Sequence, residues 1–233
     1  MNKVLVFIPI YNEIENIEKL INNILKLNIK LDIFVIDDNS PDQSKLILKK
    51  ICLKNKNVKF KNRKSKLGLD TAHREAFLYS IKMNYKYLIT MDGDLSHDPI
   101  DIPNFLKEIE NNDFVIGSRY MIGGKNKMKG FRFLLSYFGN FLIKFLLKIK
   151  TLDEFTTSYR CIRVKKLKQI NINEIKAKGY SFFMNCIYIF HKNNFKISQI
   201  PIVFSDRLKG KSKIPKTEIL RTLYNLILIK FKI

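Results

Sequence analysis

Cysteine is scarce in this chain and falls into no pattern. Cys52, Cys161 and Cys186 stand far apart, odd in number and without a C-x-x-C pair. That argues against a disulfide framework or a structural zinc site and for unpaired thiols in a reducing compartment. Long hydrophobic runs are missing too. No span offers 18 or more apolar residues free of charge, as a membrane-crossing helix needs. The opening MNKVLVFIPIYNE has only a short apolar run, which suits a buried first strand better than a secretory signal. Nothing matches a phosphate loop, a G-x-G-x-x-G dinucleotide fingerprint or a G-x-S-x-G nucleophile elbow, which weakens kinase, dehydrogenase and serine-hydrolase readings. Internal repeats and low-complexity domains are absent as well.

Acidic residues are outnumbered: 43 Lys and Arg face 21 Asp and Glu, a formal charge of +22. Such a surplus draws phosphate-rich partners by long-range attraction. It does not choose among nucleic acid, anionic lipid and nucleotide. The chain is also rich in Ile, Asn and Lys throughout, a bias in keeping with A/T-rich coding, so part of the charge need not serve binding. With 233 residues the chain can bury a full core as one domain with room for an appended subdomain.

Short β-rich runs at 3–10, 31–37, 57–61, 86–91 and 113–118 alternate with helical signals. Ile14, Ile17, Ile21, Ile24 and Leu25 carry helical spacing behind Asn12, a capping residue with Glu15 three positions on. Ser40-Pro41 and Asp98-Pro99 read as two more helix starts, and Gly68 as the turn into a helix over 71–83. This alternation predicts an α/β unit with a mostly parallel sheet. After residue 120 the pattern changes to a flexible basic loop at 123–130 and an aromatic-rich segment at 131–150. Arg132, Asn140, Lys144, Lys148 and Lys150 interrupt that segment, so it reads as lying on a membrane or a partner, or as packing into the core. A helix around 161–170, another over 179–192, a strand over 196–204 and a docking helix at the end complete the expectation.

The chemistry concentrates in acidic pairs. Asp37 and Asp38 end the second strand, where carboxylates can meet a ribose or a base; DNSP would equally make an Asx turn and helix cap. Asp92-Gly93-Asp94 follows a buried-strand pattern, and two carboxylates so spaced can share Mg²⁺ or Mn²⁺ with phosphate oxygens, although an isolated DGD also occurs in ordinary turns. His97 fits a structural role as well as metal ligation. Arg119, Arg160, and the cluster Arg207, Lys209, Lys211 and Lys213 can grip phosphate or sit on a solvated surface.

Taken in order, FIPIYNE (7–13), VIDDNSPD (35–42), KLGLDTA (66–72), MDGDLSHDP (91–99), IGSRY (116–120), TTSYR (156–160) and DRLKGKSK (206–213) resemble the dolichyl-phosphate mannose synthases among the family-2 glycosyltransferases. The resemblance implies an α/β GT-A nucleotide-sugar transferase fold with a mostly parallel central sheet. It implies a catalytic domain over 1–214 that includes the basic loop and an interfacial helix at 123–150, and a C-terminal helix over 215–233 with no transmembrane domain. It implies that Pro9, Tyr11, Glu13 and Asp38 line the nucleotide pocket and that Asp92 and Asp94 hold the Mg²⁺ or Mn²⁺ cofactor. Arg119, Ser158 and Arg207 would face donor or acceptor phosphates, Lys213 would support the closed site, and Asp94, Arg119 and Arg207 would carry catalysis.

The activity implied is inverting transfer of mannose from GDP-mannose to dolichyl or another polyprenyl phosphate. UDP-glucose as donor or a soluble glycan as acceptor are alternatives, and a basic nucleic-acid or membrane-binding module is the non-enzymatic one; no nucleic acid is expected. The implied setting is the cytosolic face of a membrane, endoplasmic reticulum if eukaryotic, with a small membrane-embedded subunit as partner. Four positions depart from the family pattern: Asp70 and Ala76 stand where glycines are common, and Glu154 and Thr157 where Asp and Gly are usual.

Overall fold

The computed structural model describes residues 3–205 and 218–231. All five expected early strands form, as β1 (Val4–Ile10), β2 (Leu31–Asp37), β3 (Val58–Asn62), β4 (Tyr87–Thr90) and β5 (Phe114–Ser118). Four more follow: β6 (Lys125–Asn126), β7 (Arg160–Arg163), β8 (Ile197–Pro201) and β9 (Val203–Phe204). Seven of them make one sheet in the order β3-β2-β1-β4-β7-β5-β8. Every pairing in it is parallel except those of β7, which runs antiparallel between β4 and β5.

The helices are α1 (Ile17–Leu25), α2 (Ser44–Lys54), α3 (Leu69–Lys82), α4 (Ile102–Glu108), α5 (Gly130–Leu147), α6 (Val164–Leu167), α7 (Ser181–Lys192) and α8 (Glu218–Phe231). Side chains alternate across a strand, and β1 sorts them cleanly. Val4, Val6, Ile8 and Ile10 share one buried cluster with Ile17 and Leu20 of α1, Leu48 of α2 and Phe105 of α4. Leu5 and Phe7 join the other, with Phe77 of α3, Ile143 of α5, Leu167 of α6, Phe183 of α7 and Leu226 of α8. The sheet is therefore covered on both faces, as a parallel sheet requires. Leu226, only 1% exposed, anchors the C-terminal helix and contributes about 2 kcal/mol by burial.

Several local expectations are corrected. The helix expected around 161–170 is instead β7 followed by the single turn α6: four residues are too few to show a period, and Cys161 and Ile162 are buried between two strands. The strand expected over 196–204 divides, because β8 ends at Pro201 and β9 leaves to pair with β6. That pairing also makes part of the loop at 123–130 a short strand. Asn12 does not cap α1: it takes φ 56° and its N–H donates to Ser40 Oγ at 2.8 Å. Ser40 does not cap α2 either, since its hydroxyl and N–H both bond Asp37. The Ser40 hydroxyl, bonded to both Asn12 and Asp37, ties the loops after β1 and β2 to one another.

Helix α5 forms where the aromatic segment lies, and its two faces differ. Asn140, Ile143 and Leu147 are buried, while Tyr137, Phe138, Phe141 and Phe145 are exposed, Phe145 by 71%.

Candidate active site

Strands that run the same way end at the same edge, and in open α/β sheets ligands settle outside the carboxyl ends. There β1 delivers Tyr11 and Glu13, β2 delivers Asp37 and Asp38, β4 delivers Asp92 and Asp94, and β5 delivers Arg119. Because β7 is reversed, the residues that precede it arrive at this edge as well. Thr90 pairs with Arg160 in register, and Ser158 consequently lies beside the DGD turn.

That turn is tightly built. A Cβ on Gly93 would stand 2.7 Å from Ile10 Cγ2, so the packing of β1 demands glycine between the two aspartates. Leu95 takes φ 63°, a conformation that costs an L-residue about 1–2 kcal/mol. Asp94 Oδ1 offsets this by accepting the Ser96 N–H at 3.1 Å and the Ser96 hydroxyl at 2.5 Å. Asp94 is nearly buried, whereas the side chain of Asp92 is 33% exposed.

Asp92 is held from two sides. Its Oδ1 accepts from Ser158 Oγ at 2.6 Å and its N–H donates to His97 Nδ1 at 3.1 Å. Burial holds His97 below its ordinary value against the pull of Asp92 and Asp94, so the ring is neutral. With Nδ1 accepting, the proton belongs on Nε2, which faces Thr157 Oγ1 at 3.2 Å. The 3.9 Å approach of His97 to Asp92 Oδ2 is therefore a neighbour contact and not an ion pair. His97 positions the turn, and its ring packs on Tyr159 and Phe204.

Among the described residues no group of three or more His, Cys, Asp or Glu is arranged to hold a metal. Two carboxylates one residue apart suit Mg²⁺ or Mn²⁺, hard cations that keep water and phosphate oxygens in their shell. They do not suit a closed zinc site, which needs four protein ligands. The donor set fits a cation shared with a diphosphate.

Arg119 is buried and bidentate to Glu154, with Nε to Oε2 at 2.7 Å and Nη2 to Oε1 at 2.8 Å; Nη2 also reaches Thr156 Oγ1 at 2.8 Å. Although burial works against both charges, each holds the other ionised: Glu154 lies below its ordinary value and Arg119 above. Asp92 also contributes to the rise of Arg119, so the DGD turn and the guanidinium share one electrostatic neighbourhood.

At the β1 and β2 end of this edge, Pro9 sits in β1 opposite Ile36 and the Lys66 ammonium lies 3.7 Å above the Tyr11 ring. Glu13 is buried and accepts from Asn16 Nδ2 at 2.8 Å. Asp38 accepts three bonds, from Arg63 Nη1 at 3.1 Å and from the N–H groups of Leu67 and Gly68 at 2.9 and 2.8 Å. It walls the edge by fastening the connection from β3 to α3.

The fold thus brings Pro9, Tyr11, Glu13, Asp38, Asp92, Asp94, Arg119 and Ser158 to one edge. Arg207 and Lys213 lie outside the described residues; the Ser205 N–H donates to the Ser96 carbonyl at 3.1 Å. Arg160 is framework: its three nitrogens donate to the carbonyls of Thr157, Phe183 and Phe155. Asp70 is framework too, bonding Arg74 and the Gly179 N–H. Sequence reasoning missed Arg63 and the His97–Thr157 contact, which nothing local announces. It also passed over the role of Asn140, whose signal was a lone amide in an apolar helix. Beside Arg119 lies a groove of about 210 Å³ lined by Tyr120, Tyr137, Asn140, Phe141, Lys144 and Asp153. A wider hollow on the outer side of α1, lined by residues such as Glu18 and Asn22, contains none of these strand-end residues.

Residues 5–170 match the Glycosyl transferase family 2 model. The chain is 31% identical over 225 residues to a polyprenol monophosphomannose synthase of Mycolicibacterium smegmatis, covering 95% of this chain and 84% of that one. It is 31% identical over 213 residues to an undecaprenyl-phosphate mannosyltransferase of Micrococcus luteus, covering 91% and 87%. In fold it resembles glucosyl-3-phosphoglycerate synthase of Mycobacterium tuberculosis, solved with Mn²⁺ and UDP, with a TM-score of 0.73, 16% identity, and coverage of 100% and 81%. It also resembles a mannosyltransferase of Pyrobaculum calidifontis, solved with GDP-Man and Mn²⁺, with a TM-score of 0.61, 15% identity, and coverage of 98% and 71%. The architecture is that of the GT-A nucleotide-sugar transferases. The chain belongs to glycosyl transferase family 2 and is a GT-A enzyme that works on a nucleotide-sugar donor.

Proposed function

We propose that this enzyme transfers mannose from GDP-mannose to a polyprenyl phosphate at a membrane surface, with inversion. One observation carries the proposal: over more than nine-tenths of its length the chain is 31% identical to two enzymes named for polyprenyl-phosphate mannose chemistry. The site is compatible with it. A lipid phosphate, with a second pKa of about 6, is an anionic nucleophile at neutral pH and needs no protein base. Its oxygen attacks the anomeric carbon as the bond to the nucleoside diphosphate breaks, and the bonding pair leaves with the diphosphate. Attack from the face opposite the leaving group converts an α-linked donor into a β-linked product.

Asp92 and Asp94 would hold Mg²⁺ or Mn²⁺, which when bound neutralises charge growing on the leaving diphosphate. Ser158 orients Asp92, and Pro9, Tyr11, Glu13 and Asp38 form the nucleotide side. Arg119, Arg207 and Lys213 would supply countercharge for two anionic reactants. The exposed aromatics of α5 beside Lys144 and Lys148 suit an interface with anionic lipid. No helix among the described residues is long and apolar enough to cross a membrane; the proposal places the enzyme peripherally on the cytosolic face.

The decisive assay offers GDP-mannose and UDP-glucose, each with a short polyprenyl phosphate and with a soluble glycan. Mannosyl phosphoprenol as the main product supports the proposal; product only on the glycan overturns it. Replacing Lys144, Lys148 and Lys150 together should weaken binding to anionic vesicles, at about 1 kcal/mol per lysine, and unaltered binding removes the interface. Binding to native membranes without binding to pure vesicles would mark a small membrane-embedded subunit as the anchor.

A further inference from the structure

We propose that Asn140 of α5 is a positioning residue for transfer: it locks the segment that carries the partners of Arg119 and Asp92. The proposal rests on Asp92 and Asp94 being the cation site. An amide buried in an apolar helix is unfavourable unless its polar atoms are paired. Asn140 is 3% exposed, and its pairing joins its own helix to the segment that follows. Its Oδ1 accepts the Phe155 N–H at 2.7 Å, while Nδ2 donates to the Ser136 carbonyl at 2.9 Å and approaches Thr156 Oγ1 at 3.4 Å. A backbone donor on one side and a backbone acceptor on the other leave the amide a single orientation.

Phe155 is gripped through both its backbone N–H and its carbonyl, which accepts from Arg160 Nη2 at 3.0 Å. Around that fixed point each neighbour reaches the site. Glu154 takes the Arg119 fork, Thr157 faces the His97 ring, and Ser158 bonds Asp92. One turn further along α5, Lys144 pairs with Asp153 at 2.7 Å. The helix that shows aromatics to the outside is thus fastened on its inner side to the residues that set Arg119 and Asp92. Without the Asn140 acceptor, the buried Phe155 N–H loses its partner and the segment has cause to move.

The test separates positioning from mere helix stability. A Cβ at Gly139 meets nothing within 4 Å, so Gly139→Ala should stiffen α5 without touching the segment. Wild type, G139A, N140A and G139A/N140A are compared for Mn²⁺ binding by electron paramagnetic resonance, for urea midpoint, and for kcat and KM with detergent-dispersed acceptor. N140A should weaken Mn²⁺ binding and lower kcat by about tenfold or more, the scale seen when a partner of a metal ligand is removed, with a smaller change in KM. The loss should persist in G139A/N140A even where the urea midpoint recovers. Recovery of kcat and Mn²⁺ binding along with stability, or N140A behaving as wild type, overturns the proposal. D94N is the reference: if it binds Mn²⁺ as wild type does, the cation-site reading itself fails and this inference with it.

Discussion

Two acidic pairs end strands of the same sheet on either side of β1, and they have opposite fates. Asp37 and Asp38, after β2, are enclosed: Asp37 takes the Ser40 N–H and hydroxyl, and Asp38 takes Arg63, Leu67 and Gly68. Asp92, after β4, keeps a third of its side chain exposed and accepts from the Ser158 hydroxyl, while Asp94 is buried and accepts from Ser96. Proximity to the strand end is common to both pairs. What differs is exposure: Asp37 and Asp38 are both buried, whereas Asp92 keeps one face of its carboxylate open to solvent. The first pair builds the floor of the edge; in the second, Asp92 stays open and Asp94 braces the turn beneath it.

The sharpest way to break this contrast is Asp94→Asn. The amide keeps an oxygen for Ser96, so the turn should fold, while kcat should fall by about 10²–10³, the cost of losing one focused electrostatic contact. Cation-dependent turnover at the wild-type rate would return the DGD turn to the class of ordinary turns. Asp38→Ala should do the reverse and act first on stability. It takes one carboxylate from the Arg63 guanidinium, whose side chain is 4% exposed and which keeps Glu75, and leaves the Leu67 and Gly68 N–H groups without their acceptor, at a cost of about 1–3 kcal/mol. A urea midpoint unmoved by this change would mean that Asp38 is as open as Asp92.

Gly93→Ala probes the backbone beneath the second pair. The new Cβ would be driven into Ile10, and overpacking costs about 1–3 kcal/mol; the expected result is a lower melting temperature together with weakened Mn²⁺ binding. Loss of stability alone would show that β1 yields and the aspartates stay in place.

Much of this was legible in the residues. The five early strands fell within a residue or two of their expected limits because each is an apolar run ending in turn chemistry, and DGD stood out because a buried-strand pattern precedes it. The unreadable parts depended on distant partners. Asn12 and Ser40 have the chemistry of helix caps, yet the Ser40 hydroxyl serves instead to bond Asp37 and to accept the Asn12 backbone N–H across 28 residues. β7 was hidden because four residues carry no usable period and its place between β4 and β5 is a tertiary fact. The segment 131–150 supported both a core and an interface reading, and the helix buries one face while leaving aromatics exposed on the other. Glu154 was noticed as a longer acid; that it meets Arg119 across 35 residues could not be read locally.

The smallest effect tests whether the first corner is a stability device in its own right. Glu75 extends the Asp38–Arg63 pair, with Arg63 Nη2 at 3.1 Å and Lys61 on its other oxygen. Partial burial alone would raise its carboxyl, but the bonds from Lys61 and Arg63 prevail and hold it below the ordinary glutamate value of 4.5. A carboxyl lowered in the native state adds stability that is complete above the unfolded value and disappears as pH falls through the lowered native one. Its side chain is 29% exposed, so the increment at pH 7 is about 0.2–1 kcal/mol, as for other partly solvated pairs. Glu75→Gln should therefore unfold at lower urea than wild type at pH 7, and the two curves should converge below 4.5 as the native carboxyl takes up its proton and comes to resemble the amide. A constant separation down to acid pH would mean that Glu75 acts through packing. The corner under Asp38 would then owe its rigidity to shape, and charge would separate the two acidic pairs less than the hydrogen bonds around Asp38 imply.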